Sequence, residues 1–231
     1  MSGLGTPRVH LRRVGSTNEH ARELAGGGAP HGTLVTAAEQ TSGRGRQGRT
    51  WTAPAGRALL MSLVLRSWAE LLPLAAGLAV ADVVAGDARV KWPNDVLLGG
   101  RKVAGVLVEG RPNEGWMVLG IGLNVAVAPD DLPTELRGTA TGMGLEPSDV
   151  ELVLARLLAT LERRLGEKAQ DTVAALRERD ALAGREVNWA DGSGRADGID
   201  ESGGLRVVLP DGSRRTLAAG EVHLGAQSST E

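Results

Sequence analysis

The chain changes character near Gly184. From there to Leu224 it reads as five short strands with turns at Asp191-Gly192, Ser202-Gly203-Gly204 and Asp211-Gly212. That spacing marks a small all-β unit of roughly 45 residues. Before it, strand-length and helix-length segments alternate. Thr33–Ala38, Ala58–Leu65, Val90–Trp92, Asp95–Leu98, Lys102–Glu109 and Trp116–Ile121 read as strands, and Gly99-Gly100 signals a hairpin. Helices are expected from a capping box at Ser16–Glu19 to Gly26, over Glu70–Ala85, from a second box at Ser148–Glu151 to Leu165, and over Asp171–Leu182. Asp130–Gly144, rich in Pro, Gly and Thr, reads as a loop. The pattern predicts an α+β domain over residues 1–183 followed by a small β-barrel over 184–231.

Composition limits what this fold can do. The 231 residues are 42% hydrophobic, enough for a buried core. Phe and Tyr are absent, so aliphatic side chains must fill that core. There is no Cys, hence no disulfide framework and no thiolate chemistry, which suits the cytoplasm. The four His are scattered without metal-ligand spacing. A net charge of −2 argues against a general nucleic-acid binder. Leu71–Ala85, the longest apolar region, is broken by Pro73, Gly77 and Asp82 and is too short to span a membrane. Basic residues are nearly all Arg. The three Lys, at 91, 102 and 168, therefore carry more information than usual.

Gly43-Arg44-Gly45-Arg46-Gln47-Gly48 spells G-x-G-x-x-G after a strand. A dinucleotide site requires a helix to start at that loop, so that its N-terminal amides meet the pyrophosphate. Here Arg49-Thr50-Trp51-Thr52-Ala53-Pro54 follows, and Pro54 and Gly56 oppose a helix. The loop's chemistry points elsewhere. Its three Arg suit carboxylate or phosphate oxygens, and its Gly residues allow close backbone approach. A charged flexible loop of this kind can close over an anionic substrate; alone, it is equally consistent with a solvated surface loop. Lys91-Trp92-Pro93-Asn94-Asp95 forms a rigid corner at a strand end that aims Lys91. Asn124, in Ile121-Gly122-Leu123-Asn124-Val125, offers both donor and acceptor to an adenine edge, and Trp51 a surface for stacking or a hydrophobic plug.

Taken in order, these segments resemble one family. Ser16-Thr17-Asn18, Glu39-Gln40, the glycine-arginine loop with Arg49, and Trp51 are similar to the first half of a biotin protein ligase catalytic domain. The Lys91–Asp95 segment, Lys102-Val103-Ala104-Gly105-Val106-Leu107-Val108-Glu109 and Gly120–Val125 are similar to its second half. Gly198-Ile199-Asp200 with Gly204-Leu205 is similar to its C-terminal barrel.

The resemblance implies the α+β core shared with class II aminoacyl-tRNA synthetases, plus an SH3-like barrel. It implies that biotin and ATP, with Mg²⁺, give biotinyl-AMP, and that a lysine of a biotin carboxyl carrier protein then takes the biotin. Ser16, Thr17, Asn18, Gln40, Gly43, Arg44, Gly45 and Gly105 match positions around biotin. Arg46, Arg49, Trp51 and Asn124 match positions around ATP. Lys91, matched to both, and Arg46 are expected to be catalytic. Only about 15 residues precede the matched region, so no helix-turn-helix domain, and no DNA-dependent regulation, is expected; a homodimer is compatible with the resemblance. Lipoate or octanoate ligation on the same core, and a non-catalytic biotin-binding module, are the competing readings.

Overall fold

The computed structural model describes residues 3–218 and 220–224. Two sheets organise them. The strands of the first are β1 (Arg8–Leu11), β2 (Leu34–Ala37), β3 (Ala58–Leu65), β4 (Ala88–Lys91), β5 (Asp95–Leu98), β6 (Arg101–Arg111) and β7 (Trp116–Asn124). Across the sheet they stand β1-β2-β3-β7-β6-β5-β4. β1 and β2 are parallel and every other pairing is antiparallel.

The order follows from which strands are apolar on both faces. All eight residues of β3 are buried, as a central strand covered on both sides requires. Successive side chains alternate between faces. Val64, with Val35 and Val118, meets Ala21 and Ala25 of helix α1 (Thr17–Gly26). Leu63 and Leu65 join the main core on the other face, with helices α2 (Leu72–Val84), α3 (Val150–Leu165) and α4 (Ala169–Glu178). That core is aliphatic, as the missing Phe and Tyr demand, with Trp92 among its buried members. Gly77 lets α2 lie close to the sheet: a Cβ there would stand 3.3 Å from Val90 Cγ1.

Several elements differ from the sequence expectation. β1 was not expected, because Arg-Val-His-Leu is half-exposed and is held by pairing with β2 rather than by its own burial. β7 runs on to Asn124, since Ile121–Leu123 pair with both neighbours and Asn124 pairs with Ala58 on β3. Neither capping box forms as spelled. Ser16 is the N-cap of α1, but its buried hydroxyl makes no capping bond. A 3₁₀ turn at Pro147–Asp149 precedes α3, and there the Asp149 carboxylate accepts the Glu146 N–H at 2.9 Å. α4 stops at Glu178 because the following residues line the open edge of β4. Val90 N–H donates to Arg179 O at 2.9 Å, and Ala181 N–H to Val90 O at 3.0 Å.

The second sheet comprises β8 (Glu186–Trp189), β9 (Gly192–Ile199), β10 (Leu205–Val208), β11 (Arg214–Leu217) and β12 (His223–Leu224). Its order is β11-β10-β9-β8-β12, antiparallel throughout. Val187, Ala196, Ile199, Leu205 and Val207 continue the main core. Trp92 Nε1 donates to Gly203 O at 2.9 Å, fixing this sheet beside the β4–β5 corner. No described helix is long and apolar enough to cross a membrane.

α2, α3 and the residue that caps α4 are joined by charge. Asp82 accepts from Arg164 at 2.8 Å and Arg163 at 2.7 Å, with Arg179 at 3.2 Å. Burial pushes the Asp82 carboxyl up, but the Arg164 and Arg163 hydrogen bonds outweigh it and hold it below its ordinary value. A carboxyl depressed in the folded state stabilises the fold above its unfolded pKa, and that stability is lost as pH falls through the folded pKa. Asp82→Asn is therefore expected to cost about 1 kcal/mol at neutral pH, with the gap from the parent closing in acid. Urea melts across a pH series measure this; a gap independent of pH would contradict it.

Candidate active site

The strand ends and the glycine-arginine loop enclose a cavity of about 590 Å³. Ser16, Thr17, Asn18, Gln40, Arg44, Gly45, Arg46, Arg49, Trp51, Lys91, Gly105 and Asn124 all line it. Gly43 does not. It sits behind the wall, where its carbonyl accepts the Trp51 N–H at 2.9 Å and a Cβ would stand 2.9 Å from Gln40 Nε2. Its lack of a side chain lets Trp51 and Gln40 close together.

One group of lining residues, Ser16, Thr17, Asn18 and Gln40, is polar and uncharged. Gln40 Oε1 accepts from the Thr17 N–H at 2.7 Å and from Thr17 Oγ1 at 3.0 Å. That fixes the Gln40 amide with its Nε2 beside Gly43. Asn18 is spent internally. Its Oδ1 accepts from Ser62 Oγ at 2.6 Å, and its Nδ2 donates to Glu109 Oε2 at 3.0 Å. Gly120 makes room for it: a Cβ there would fall 2.0 Å from Asn18 Oδ1.

A second group is charged. Lys91 closes β4 opposite Asp95 on β5, across the turn Trp92-Pro93-Asn94. Lys91 Nζ lies 4.0 Å from Asp95 Oδ2, while Lys102 Nζ, from β6, lies 2.7 Å from Asp95 Oδ1. Burial pushes the Lys91 ammonium below the ordinary lysine value. Asp95 opposes that shift and the neighbouring Lys102 adds to it. Trp51 lines the same cavity. Its ring lies against Gly105 and Gly122, which face each other across β6 and β7, and a Cβ on Gly122 would come 2.5 Å from the ring. Lys102 Nζ stands 5.7 Å from the ring centroid, within cation–π reach. Among the described residues Trp51 Nε1 and Asn124 Oδ1 are buried without a protein partner, although Asn124 Nδ2 donates to Thr141 O at 2.9 Å. Such groups normally find a partner, and here both residues border the cavity.

The loop spans this space. It folds back on itself, with Gly45 N–H donating to Arg49 O at 2.7 Å, and a 3₁₀ turn at Arg46–Gly48 forms its tip. Each of its Arg reaches a different element. Arg44 pairs with Glu109 on β6 at 3.2 Å, and Arg46 donates to Asn94 Oδ1 at 3.2 Å. Arg49 pairs with Glu221, just before β12. The second sheet thus supplies part of the cavity wall, through Glu221, Val222, His223 and Leu224.

The arrangement has known relatives. The Biotin/lipoate A/B protein ligase family matches residues 11–125, and the biotin protein ligase C-terminal domain matches residues 183–225. The biotin--[acetyl-CoA-carboxylase] ligase of Mycobacterium tuberculosis is 36% identical over 92% of this chain and 86% of its own length. That of Paracoccus denitrificans is 35% identical over 93% and 99%. The chain belongs to the biotin protein ligase family. Among solved structures, a biotin protein ligase from Aquifex aeolicus in complex with biotin and ATP superposes with a TM-score of 0.79 at 28% identity, over 95% of this chain and 99% of that one.

Against this biotin ligase scaffold, the polar cavity residues that sequence reading passed over include Asn94, Asp95, Lys102 and Glu221. Lys102 had a signal, being one of three Lys in the chain. Asn94 and Asp95 read as turn residues; Asn94 is in the turn and Asp95 opens β5, and they present polar groups to Arg46 and Lys102. Glu221 had none, since only the docking of the second sheet brings it to Arg49.

Proposed function

We propose that this chain joins biotin to a lysine of a carrier protein in two steps within the one cavity. A biotin carboxylate oxygen attacks the α-phosphorus of ATP and displaces pyrophosphate, leaving biotinyl-AMP. The carrier lysine amine then attacks the acyl carbon, AMP leaves, the amide forms and the nitrogen loses its proton. One observation carries this reading: a single cavity offers both uncharged hydrogen-bonding groups and the charges of Lys91, Lys102 and Arg46. A neutral ureido ring suits Ser16, the Thr17–Gln40 pair and the Arg44–Gly45 backbone. The carboxylate and α-phosphate suit the charged group, where negative charge gathers in the transition state and fixed cations stabilise it.

Adenine falls to the region of Trp51 and Asn124, whose unpartnered Nε1 and Oδ1 offer it a donor and an acceptor. Arg49 serves the phosphates, and Gly105 keeps the floor flat beneath Trp51. Mg²⁺, when bound, would neutralise triphosphate charge and take its oxygens mainly from the phosphates and water, because among the described residues no cluster of three His, Cys, Asp or Glu could hold it and Asp95 is paired with Lys102. Residues 1–183 are the catalytic unit and 184–231 the C-terminal unit, a division supported by the change of sheet at β8. The acceptor is a biotin carboxyl carrier protein, and the working compartment the cytoplasm, where ATP and carrier meet. Exchange of labelled pyrophosphate into ATP tests the first step. Exchange that depends on biotin is expected; exchange indifferent to biotin would remove the reading.

The C-terminal unit has a measurable share in this. Glu221 holds Arg49 in a partly exposed ion pair, and such pairs contribute up to about 1 kcal/mol. Glu221→Ala is expected to raise the KM for ATP by about two- to fivefold, with the KM for biotin unchanged. Steady-state kinetics with each substrate varied decide it; parallel rises would contradict the pairing's role.

A further inference from the structure

Glu109 lies outside the cavity wall, yet three side chains from two elements meet on its carboxylate. It accepts from Asn18 Nδ2 at 3.0 Å, pairs with Arg44 at 3.2 Å and lies 3.6 Å from Arg22. Asn18 and Arg22 belong to α1, and Arg44 is the root of the glycine-arginine loop. The side chain is one-fifth exposed, so these contacts are made where water screens them only in part. A core ion pair would serve stability alone. This one stands directly behind the uncharged lining residues: Ser16 and Thr17 precede Asn18, and Gly45 follows Arg44.

We propose that Glu109 is a positioning residue for the acid substrate. Its charge draws the loop root against the first turn of α1, and its oxygen fixes the Asn18 amide so that Nδ2 faces Glu109 and Oδ1 faces Ser62. Both lines of groups that would grip the ring are thereby set at a fixed separation. The charged group is held by other contacts, from Lys102 to Asp95 and from Arg46 to Asn94. Loss of Glu109 therefore acts on one substrate and spares the other. The inference rests on the reading of this cavity as the biotin site.

Glu109→Gln separates the two functions of the carboxylate. The amide keeps an oxygen for Asn18 Nδ2 and loses the charge that holds Arg44 and Arg22. For an ion pair of this exposure the KM for biotin is expected to rise about fivefold, with the KM for ATP and kcat changed less than about twofold. Glu109→Asp, which keeps the charge, is expected to recover part of the loss. Arg44→Gln should raise the KM for biotin too, and adding Glu109→Gln to it should change little more, since both remove one contact. An unchanged KM for biotin in Glu109→Gln, equal rises for biotin and ATP, or full additivity with Arg44→Gln would each overturn the proposal. Absence of biotin-dependent exchange in the parent would instead overturn the assignment of the cavity, so the two failures are distinguishable.

Discussion

Lys91→Ala is expected to slow adenylate formation by roughly 10²- to 10³-fold, the loss typical of a preorganised contact to charge that develops in the transition state. Lys91 can have this effect because it is held. It ends β4, faces Asp95 across a turn of three residues, and has most of its side chain out of water. A charge fixed in such surroundings costs no reorganisation when the reaction needs it. Biotin-dependent pyrophosphate exchange measures the loss, and an unchanged rate would remove Lys91 from the reacting centre. Lys102, 2.7 Å from Asp95, keeps the variant from losing all positive charge there, so activity should fall and not vanish.

The same lysine gives the reaction a pH signature. Burial lowers the Lys91 pKa, and Lys102 lowers it further against the pull of Asp95. The contact requires the ammonium, which is present at pH values below its pKa. Adenylation should therefore decline on an alkaline limb centred below the ordinary lysine value, and Lys91→Arg should move that limb upward because guanidinium stays charged. A limb at the ordinary value in the parent would contradict the environment described for Lys91.

Arg46→Gly is expected to let the adenylate escape. Arg46 donates to Asn94 Oδ1 at 3.2 Å and ties the loop tip to the β4–β5 turn, while Asn94 is anchored in turn to Val106 O at 2.9 Å. A hydrogen bond to a charged group contributes about 1.5–3 kcal/mol, so its removal should raise the rate of adenylate release by roughly 10- to 100-fold. Free biotinyl-AMP acylates exposed lysines without selection. Adenylate in the filtrate and biotin on a bystander protein are the two readouts, and equal values for variant and parent would show that Arg46 does not retain the intermediate.

Much of this was legible in the sequence because its signals were local. The apolar run Ala58–Leu65 announced a central strand, and it is buried along its whole length. Turn dipeptides announced five short C-terminal strands, and five are present. Twelve of the thirteen candidate residues line one cavity, because they cluster in motifs that strand ends and loops bring together, with Asn124 closing β7. What was not legible depends on distant contacts. β1 exists because β2 offers an edge. α4 ends early because β4 needs its edge covered. Asn18 was expected to touch the substrate, yet both its polar atoms are committed to Ser62 and Glu109. Glu221 gains its place from the docking of a second sheet through Trp92.

The central claim is the choice of acid. Biotin, lipoate and octanoate are each supplied with ATP and an apo-carrier domain, and the carrier is weighed by intact-mass spectrometry. The mass of one biotinyl group on one lysine, with no gain from lipoate or octanoate, is the expected result. A carrier that gains lipoyl or octanoyl mass, or no mass with any of the three, would contradict it.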